Sequence, residues 1–382
     1  MPRSAAVLLA VLVSVAFVAA GPSIGELRSW MRSAFPSWFV VINVVVGGSA
    51  AAAIVVALAR IRERRALRFL LIAAAVAIAT MSAVAMASAS ASQNAVERFH
   101  FIQYGLVTWL WYRVMRKRAG PGDLSTLVVP ALVALVVGAA DEALQWFVPE
   151  RVGEYRDIFL NGAAIAAGLA WSIGFDLPVP FSRRLPPRSR RAIAMAAAAA
   201  MAAVVGFVHL AQLGGVVRDD EIGVAFRSRY SAARLHELAG NRTARWAHDP
   251  PPMQLRRYSR EDQYLAEALW HIKARNEAWE RSPRTAWAEN LILERYYAPT
   301  LDATSYATPA VSRWPADQRR DAEARRAADV RRVAEGRGGA ENALFVSTAN
   351  PLEIHTISPL SLWGLVAAIA AAFAFWAAKN SP

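Results

Sequence analysis

The sequence predicts an all-α, polytopic helical membrane protein with a mostly helical soluble insertion. Three observations predict it. Fifty-five per cent of the 382 residues are apolar, and they gather into runs. Eight such runs, at about residues 4–20, 37–59, 66–88, 99–115, 124–148, 157–175, 192–213 and 357–378, are each long enough to cross a roughly 30 Å hydrocarbon core as a helix. One long polar stretch, residues 214–356, separates the last two.

Taken in order, residues 1–65 hold the N-terminal spans. The first of these, Met1-Pro-Arg followed by an apolar core and Val18-Ala-Ala, reads either as an uncut anchor or as a cleavable signal peptide, leaving about eight spans or seven. Residues 66–175 form a four-span core, 176–213 a basic loop and the seventh span, 214–356 the soluble domain, and 357–382 a final span.

The net charge of +13 is a topology signal. Residues 1–213 carry +10 of it, and fourteen Lys or Arg fall in three short loops at 60–68, 113–118 and 183–191. The alternate loops hold only Arg28, Arg32, Arg98, Arg151 and Arg156. The excess of cations on cytoplasmic loops therefore predicts an N-terminus inside, with the loops near 22–36, 89–98 and 149–156 outside together with the 214–356 domain. A nucleic-acid partner is not expected from charge distributed this way. Forty Arg against three Lys, with abundant Ala, point to a GC-rich bacterial genome and so to a bacterial inner or plasma membrane. With no cysteine, neither disulfides nor thiolate metal sites are available. No metal site is read, and His236-Glu-Leu-Ala-Gly lacks the second His of a zinc-protease helix. Any cofactor is unknown.

Polar residues at helical spacing mark the expected outer ends of three spans. Glu97, His100 and Tyr104 are three and four apart and share a face. Asp141-Glu142-Ala-Leu-Gln145 places Glu142 and Gln145 together, with Asp141 reaching the same side. Arg156-Asp157 is followed by Asn161, four residues beyond Asp157. At about 1.5 Å per residue, Glu142 lies roughly 9 Å below Val148, Asn161 roughly 6 Å below Asp157, and His100 about one turn from its helix end. The three sets are expected to meet in one polar pocket, lidded by the loop that carries Arg151 and Arg156. An ionised side chain inside a bilayer costs roughly 2.5–3.5 kcal/mol on insertion scales, so such residues face partners or serve a purpose. The bland alternative is that they join helices by hydrogen bonds, with Gly162, Ala166 and Gly168 allowing close packing.

The ordered set Glu97-Arg-Phe-His100-Phe-Ile-Gln-Tyr104-Gly, Asp141-Glu142-Ala-Leu-Gln145, Pro149-Glu-Arg151 and Asp157-x-x-x-Asn161 resembles the VanZ-like family of bacterial membrane proteins. The resemblance covers about residues 66–175. It implies a helical membrane module and, through the family's namesake, a link to low-level glycopeptide (teicoplanin) resistance. It names a module, not a reaction, and leaves the flanking spans and the 214–356 domain uncovered.

Within 214–356, turns are expected at Asp249-Pro-Pro-Pro252, Ser282-Pro283 and Arg313-Trp-Pro315. Ser259-x-x-Asp262 reads as a helix N-cap pair, and Ser282-Pro283 suits the cap and first position of the next helix. Residues 317–335 predict a solvated, charged helix ended by Gly336–Gly339. The secondary candidate site is the stripe Glu267, His271 and Arg275, with Asn290 on the next helix and Trp270, Trp279 and Trp287 as stacking surfaces for an anion or sugar. The bland reading is an exposed stripe with intrahelical ion pairs and core tryptophans.

Three functions fit. One is an outward-facing pocket that binds a lipid-linked or glycopeptide-type envelope molecule. Another is a membrane-embedded enzyme with His100 as general acid or base, Glu142 or Asp157 orienting it and Arg151 holding a phosphate. The third is a scaffold whose polar cluster is structural and whose outer domain binds a partner.

Overall fold

The computed structural model of the chain describes residues 2–35, 37–87, 91–147, 155–181, 185–248, 263–303, 312–335, 344–349 and 354–379. Two compact units divide it: residues 1–211 with 360–382, and residues 212–359.

The first unit is built from nine helices among the described residues: α1 Arg3–Ala19, α2 Gly21–Ala34, α3 Trp38–Arg60, α4 Arg65–Ala85, α5 Ala91–Arg118, α6 Ser125–Phe147, α7 Tyr155–Phe175, α8 Pro187–Gln212 and α14 Pro359–Ala378. Six of them, α3, α4, α6, α7, α8 and α14, are long and apolar enough to cross a membrane. This is a helical membrane protein. In α3 the β-branched run Val40-Val41-Ile42 and Val44-Val45-Val46 would suit a strand in water. Inside a bilayer each backbone group must be bonded within its own segment, and the helix is what provides that.

Two of the eight runs differ from the expectation. The helix α1 has only 17 residues, and α5 has 28 but carries Glu97, Arg98 and His100 together with Arg116, Lys117 and Arg118 in its last turn. Two expected loops are also helical. Residues 22–35 are mostly α2, where the tripeptide Gly21-Pro-Ser starts a new helix with proline in its first turn. On it Leu27 and Trp30 stay exposed, as in a helix lying at a membrane surface. The helix α5 begins six residues before Glu97, so His100 sits roughly 14 Å along it, not one turn from its end.

Polar pins set the register of this unit. The Trp111 indole donates to Ser14 Oγ at 3.1 Å, fastening α1 to α5 beside the buried Ala6 and Ala10. Arg68 on α4 donates its Nε to the Gly174 carbonyl at 2.8 Å and a second nitrogen to Phe175. A cation thereby satisfies the orphan carbonyls at the end of α7. Gly105 and Gly168 are the closest approach: a Cβ on Gly168 would stand 2.7 Å from the Gly105 Cα. Two glycines let the α5 and α7 backbones touch, the small-residue packing used where lipid supplies no hydrophobic drive. Gly162, expected to share that role, has open space around it.

The second unit contains β1 Gly215–Asp219, β2 Val224–Ser228, α9 Ala232–His248, α10 Gln263–Ala278, α11 Pro283–Tyr296, α12 Ala298–Asp302, α13 Ala316–Ala334 and β3 Phe345–Val346. Three strands, in order β1-β2-β3 with β1–β2 antiparallel and β2–β3 parallel, add a small sheet to the mostly helical domain that was expected. Their signal was Val216-Val217 and Val224-Ala-Phe226 flanking an acidic, Gly-containing turn, where residues pack as a half-buried surface. Their buried side chains Val217, Val224 and Phe226 join Leu265, Leu269, Ile292, Leu293, Tyr296 and Tyr297 in one core. Ser282 precedes Pro283 at the start of α11 as expected, but its hydroxyl bonds the Thr285 hydroxyl at 2.8 Å. The charged helix α13 is not solvated on all sides. Ala322 is buried with Trp287 and Trp314, and Arg325 lies 4.7 Å over the Trp279 ring. Arginine stems and guanidinium faces on this charged helix cover tryptophan, so a helix with few apolar residues still packs on the core. The expected turn at 249–252, the cap pair at 259–262 and the glycines at 336–339 lie outside the described residues.

Candidate functional site

Three helices of the membrane unit bring the expected polar residues together. On α5, His100 and Tyr104 are one turn apart with ring centroids at 5.7 Å. His100 Nδ1 meets Asn161 Oδ1 of α7 at 2.7 Å, and the Tyr104 hydroxyl donates to Asp141 Oδ2 of α6 at 2.8 Å. Glu142 accepts from the Gln145 amide at 3.3 Å, along the same helix. Helical spacing thus placed His100 with Tyr104 and Glu142 with Gln145, and the bonds of Asn161 and Asp141 join α7 and α6 to the α5 pair. Tyr104, Glu142 and Asn161 have no exposed surface at all, and His100 is 9 % exposed. Gly138 makes room for this level of the bundle, since a Cβ there would lie 3.0 Å from Asn161 Nδ2.

Other members of the set go elsewhere. Glu97 leaves the face of His100 to bind Arg156 of α7, with Arg156 Nη1 on its Oε1 at 2.9 Å. Arg156 also donates to the Met86 carbonyl, so it ties the ends of α4, α5 and α7 together. Asn161 pairs with His100 and not with Asp157, which is half-buried at the start of α7. Arg151 and its loop lie outside the described residues.

The cluster has donors and acceptors in a closed arrangement. Because Asn161 Oδ1 can only accept, His100 carries its proton on Nδ1 and donates to a neutral amide, and no carboxylate orients the ring there. The Nδ2 amide of Asn161 is buried without a partner. A buried donor left unmade costs about 1–3 kcal/mol, which an acceptor entering the cluster would recover.

In the second unit the stripe Glu267, His271 and Arg275 is buried, not exposed, at 1 %, 1 % and 3 %. The residues do not pair along the helix. Glu267 accepts from Ser228 Oγ at 2.7 Å, the Arg229 amide at 3.0 Å and the Tyr297 hydroxyl at 2.7 Å. Burial, and then the Glu267 carboxylate, push the Tyr297 hydroxyl well above its ordinary pKa, so it stays a donor. His271 Nδ1 meets Glu289 Oε2 at 2.6 Å, and Ser347 Oγ donates to the other oxygen at 2.6 Å. The carboxylate stands between serine and histidine, the wrong order for activating the hydroxyl, which needs histidine in the middle. Arg275 reaches Asn290 Oδ1 at 3.0 Å and the Ser312 carbonyl at 2.7 Å, with its guanidinium 5.0 Å over Trp314. Burial lowers its pKa to about 10, against the pull of Glu294. Of the three tryptophans, Trp287 is buried in the core, Trp279 stacks edgewise on Trp314 at 5.2 Å, and Trp270 carries Lys273 at 4.9 Å. These are the fastenings of a core.

Sequence spacing missed two concave features. A cleft of about 370 Å³ in the second unit is lined by Arg218, Asp220, Arg284, Arg326 and Asp329 beside Trp287. A larger apolar groove runs along the membrane unit between α3, α4, α5 and α7. Neither has a local motif, because each is made by residues far apart in the chain. Comparison with family models, with curated proteins and with solved structures gives no match to this chain, so the VanZ-like resemblance rests on its own residues between 97 and 161.

Proposed function

We propose that this chain is a VanZ-like integral membrane protein of the cell envelope, whose α5–α7 polar cluster receives the polar head of a lipid-linked or glycopeptide-type envelope molecule. The observation that carries the reading is the convergence of His100, Asn161, Tyr104 and Asp141 from three helices through bonds of 2.7 and 2.8 Å. Ionisable groups are expensive inside a bilayer, and a bundle fastened by glycine contacts does not need so many. In this reading the charge distribution keeps the cluster and residues 214–356 on the outer side, with eight spans counted by including α1 and α5. An amide oxygen also orients catalytic histidines, so the second reading is a membrane-embedded enzyme with His100 as general acid or base.

The test uses the full chain and a photoreactive lipid-linked cell-wall precursor. His100→Ala and Asn161→Ala each remove one membrane hydrogen bond, a loss averaging about 0.6 kcal/mol and at most about 1.7 kcal/mol. Both variants should therefore insert and elute like the native chain while losing most of the crosslink. Equal crosslinking by native and variant chains would overturn the pocket. A scaffold reading is favoured by the same bonds acting as pins, and it predicts degraded or misinserted variants with no precursor captured by the native chain.

A further inference from the structure

On α5 the polar cluster occupies one side, and Arg98, Gly105 and Trp109 lie about 140–180° round the helix from His100, at 100° per residue, with Phe101 between the two sides. That second side forms the back of the groove of about 730 Å³ whose walls are α3 and α4 and whose floor is α7. Its wall residues are almost all Ala, Gly and Val, among them Ala50 and Ala79, so the walls stand apart without side chains to fill the space. Arg98 stands at one end and Trp109, with Trp171 and Phe175, at the other. From Arg98 to Trp109 the helix rises roughly 16 Å, about half of a 30 Å hydrocarbon core. The groove is therefore one leaflet long.

Charge marks one end. Arg98 is exposed and donates to the neutral amide of Asn43 at 2.9 Å, and it meets no carboxylate among the described residues. Nearby Arg156 is already paired with Glu97. Length argues against a protein occupant: a partner helix crossing the roughly 30 Å hydrocarbon core would run about twice the length of this groove.

We propose that this groove is a binding site for an anionic phospholipid of the surrounding bilayer, one acyl chain lying between α3 and α4 with the phosphate on Arg98. The chain replaces the missing side chains along a wall that is apolar but for Ser49 and Thr80, and the phosphate supplies the counter-charge that Arg98 lacks. The site lies across α5 from the polar cluster and does not depend on what that cluster binds.

Native mass spectrometry of the purified full chain, titrated with phosphatidylglycerol or phosphatidylcholine of the same acyl chains, tests it. The native chain should retain phosphatidylglycerol at about fivefold lower concentration, the worth of one basic contact to an anionic head. Arg98→Gln should abolish that preference while still retaining lipid. Ala79→Trp, which fills the groove, should reduce retention of both lipids several-fold. Equal retention of the two lipids by the native chain would overturn the proposal, as would undiminished retention by Ala79→Trp. If Ala79→Trp does not fold, the Arg98→Gln titration decides alone, because Arg98 is exposed and its loss leaves only an amide unpaired. A native chain that turns out dimeric, with lipid released on dimerisation, would assign the groove to a second copy and also overturn it.

Discussion

The molecule contains two buried histidines, each with a single short contact to another helix, and they differ in what surrounds that contact. In the membrane unit His100 faces an amide at 2.7 Å, and the amide's own N–H is left over. In the second unit His271 faces a carboxylate at 2.6 Å, and that carboxylate's other oxygen is taken by Ser347. Close by, Glu267 accepts three bonds within 3.0 Å. Water-soluble cores hold charge only when it is enclosed by donors, because an unpaired buried carboxylate costs several kcal/mol. In the membrane cluster the histidine's partner is neutral, while the Asp141 carboxylate takes the Tyr104 hydroxyl and one amide N–H of Asn161 is left over. Unspent hydrogen-bonding capacity is not confined to the membrane cluster, because Asn290 Nδ2 beside Arg275 is also buried without a partner; the contrast lies in what each histidine meets, an amide in one unit and a carboxylate in the other.

The largest test of that contrast is Glu267→Ala. It strands Ser228, the Arg229 amide and Tyr297 together and should destabilise the second unit by about 3–5 kcal/mol. Trypsin cleavage within residues 212–359 of the full chain, followed against urea, reads this out. A shift below about 1 kcal/mol would mean that Glu267 is not a fastening and would erase the distinction.

Next in size is Gly168→Leu, which drives a side chain into the Gly105 backbone. Overpacking of this kind costs about 1–3 kcal/mol, and the chain should lose monodispersity in detergent at lower temperature. Gly162→Ala, with nothing within 4 Å of its Cβ, should be neutral or slightly stabilising in the same assay. Equal behaviour of the two would show that the α5–α7 contact does not hold the membrane unit together.

The smallest effect sharpens the second unit's side of the comparison. Burial works against ionisation of Asp219, but the Tyr296 hydroxyl, the Ile222 amide and Arg295 together hold its carboxyl below its ordinary value. As pH falls, the unfolded chain then takes up the proton first. The stabilisation is complete above the ordinary aspartate pKa of about 3.9 and is lost as pH drops through the lower folded value. Asp219→Asn should remove this acid-limb dependence, read by cleavage with an acid-active protease such as pepsin, and leave neutral-pH stability only slightly reduced. An unchanged acid limb would mean that Asp219 is not ionised in the folded chain.

Much of the membrane unit was legible in the order of residues. Apolar run length marks membrane helices because a bilayer requires the backbone to bond within each segment, and composition alone can report that. Spacing likewise placed Glu142 with Gln145, and His100 with Tyr104, since 3.6 residues per turn is a local rule. It did not reveal that Asn161 turns to His100, or that Glu97 turns to Arg156, because partners on other helices depend on crossing angle and rotation. The start of α5 at Ala91 was hidden by Ser92, Gln93 and Asn94, polar residues that a helix accepts as readily as a loop.

The second unit shows the opposite balance. Its helices α10, α11 and α13 follow from local pattern, yet Glu267, His271 and Arg275 at four-residue spacing looked like an exposed stripe. They are buried because the β1–β2 hairpin, α11 and the Ser312 carbonyl supply partners from 15 to 39 residues away along the chain. The sequence by itself determined most of the helical segments and the six runs apolar enough for a bilayer, since both depend on neighbours within a turn or two, but it left α2, the start of α5 and the strands unread. Only the tertiary structure decided which charges are enclosed, which polar groups keep spare bonds and where a groove remains open. Those properties belong to surfaces contributed by distant segments, and no local rule carries them.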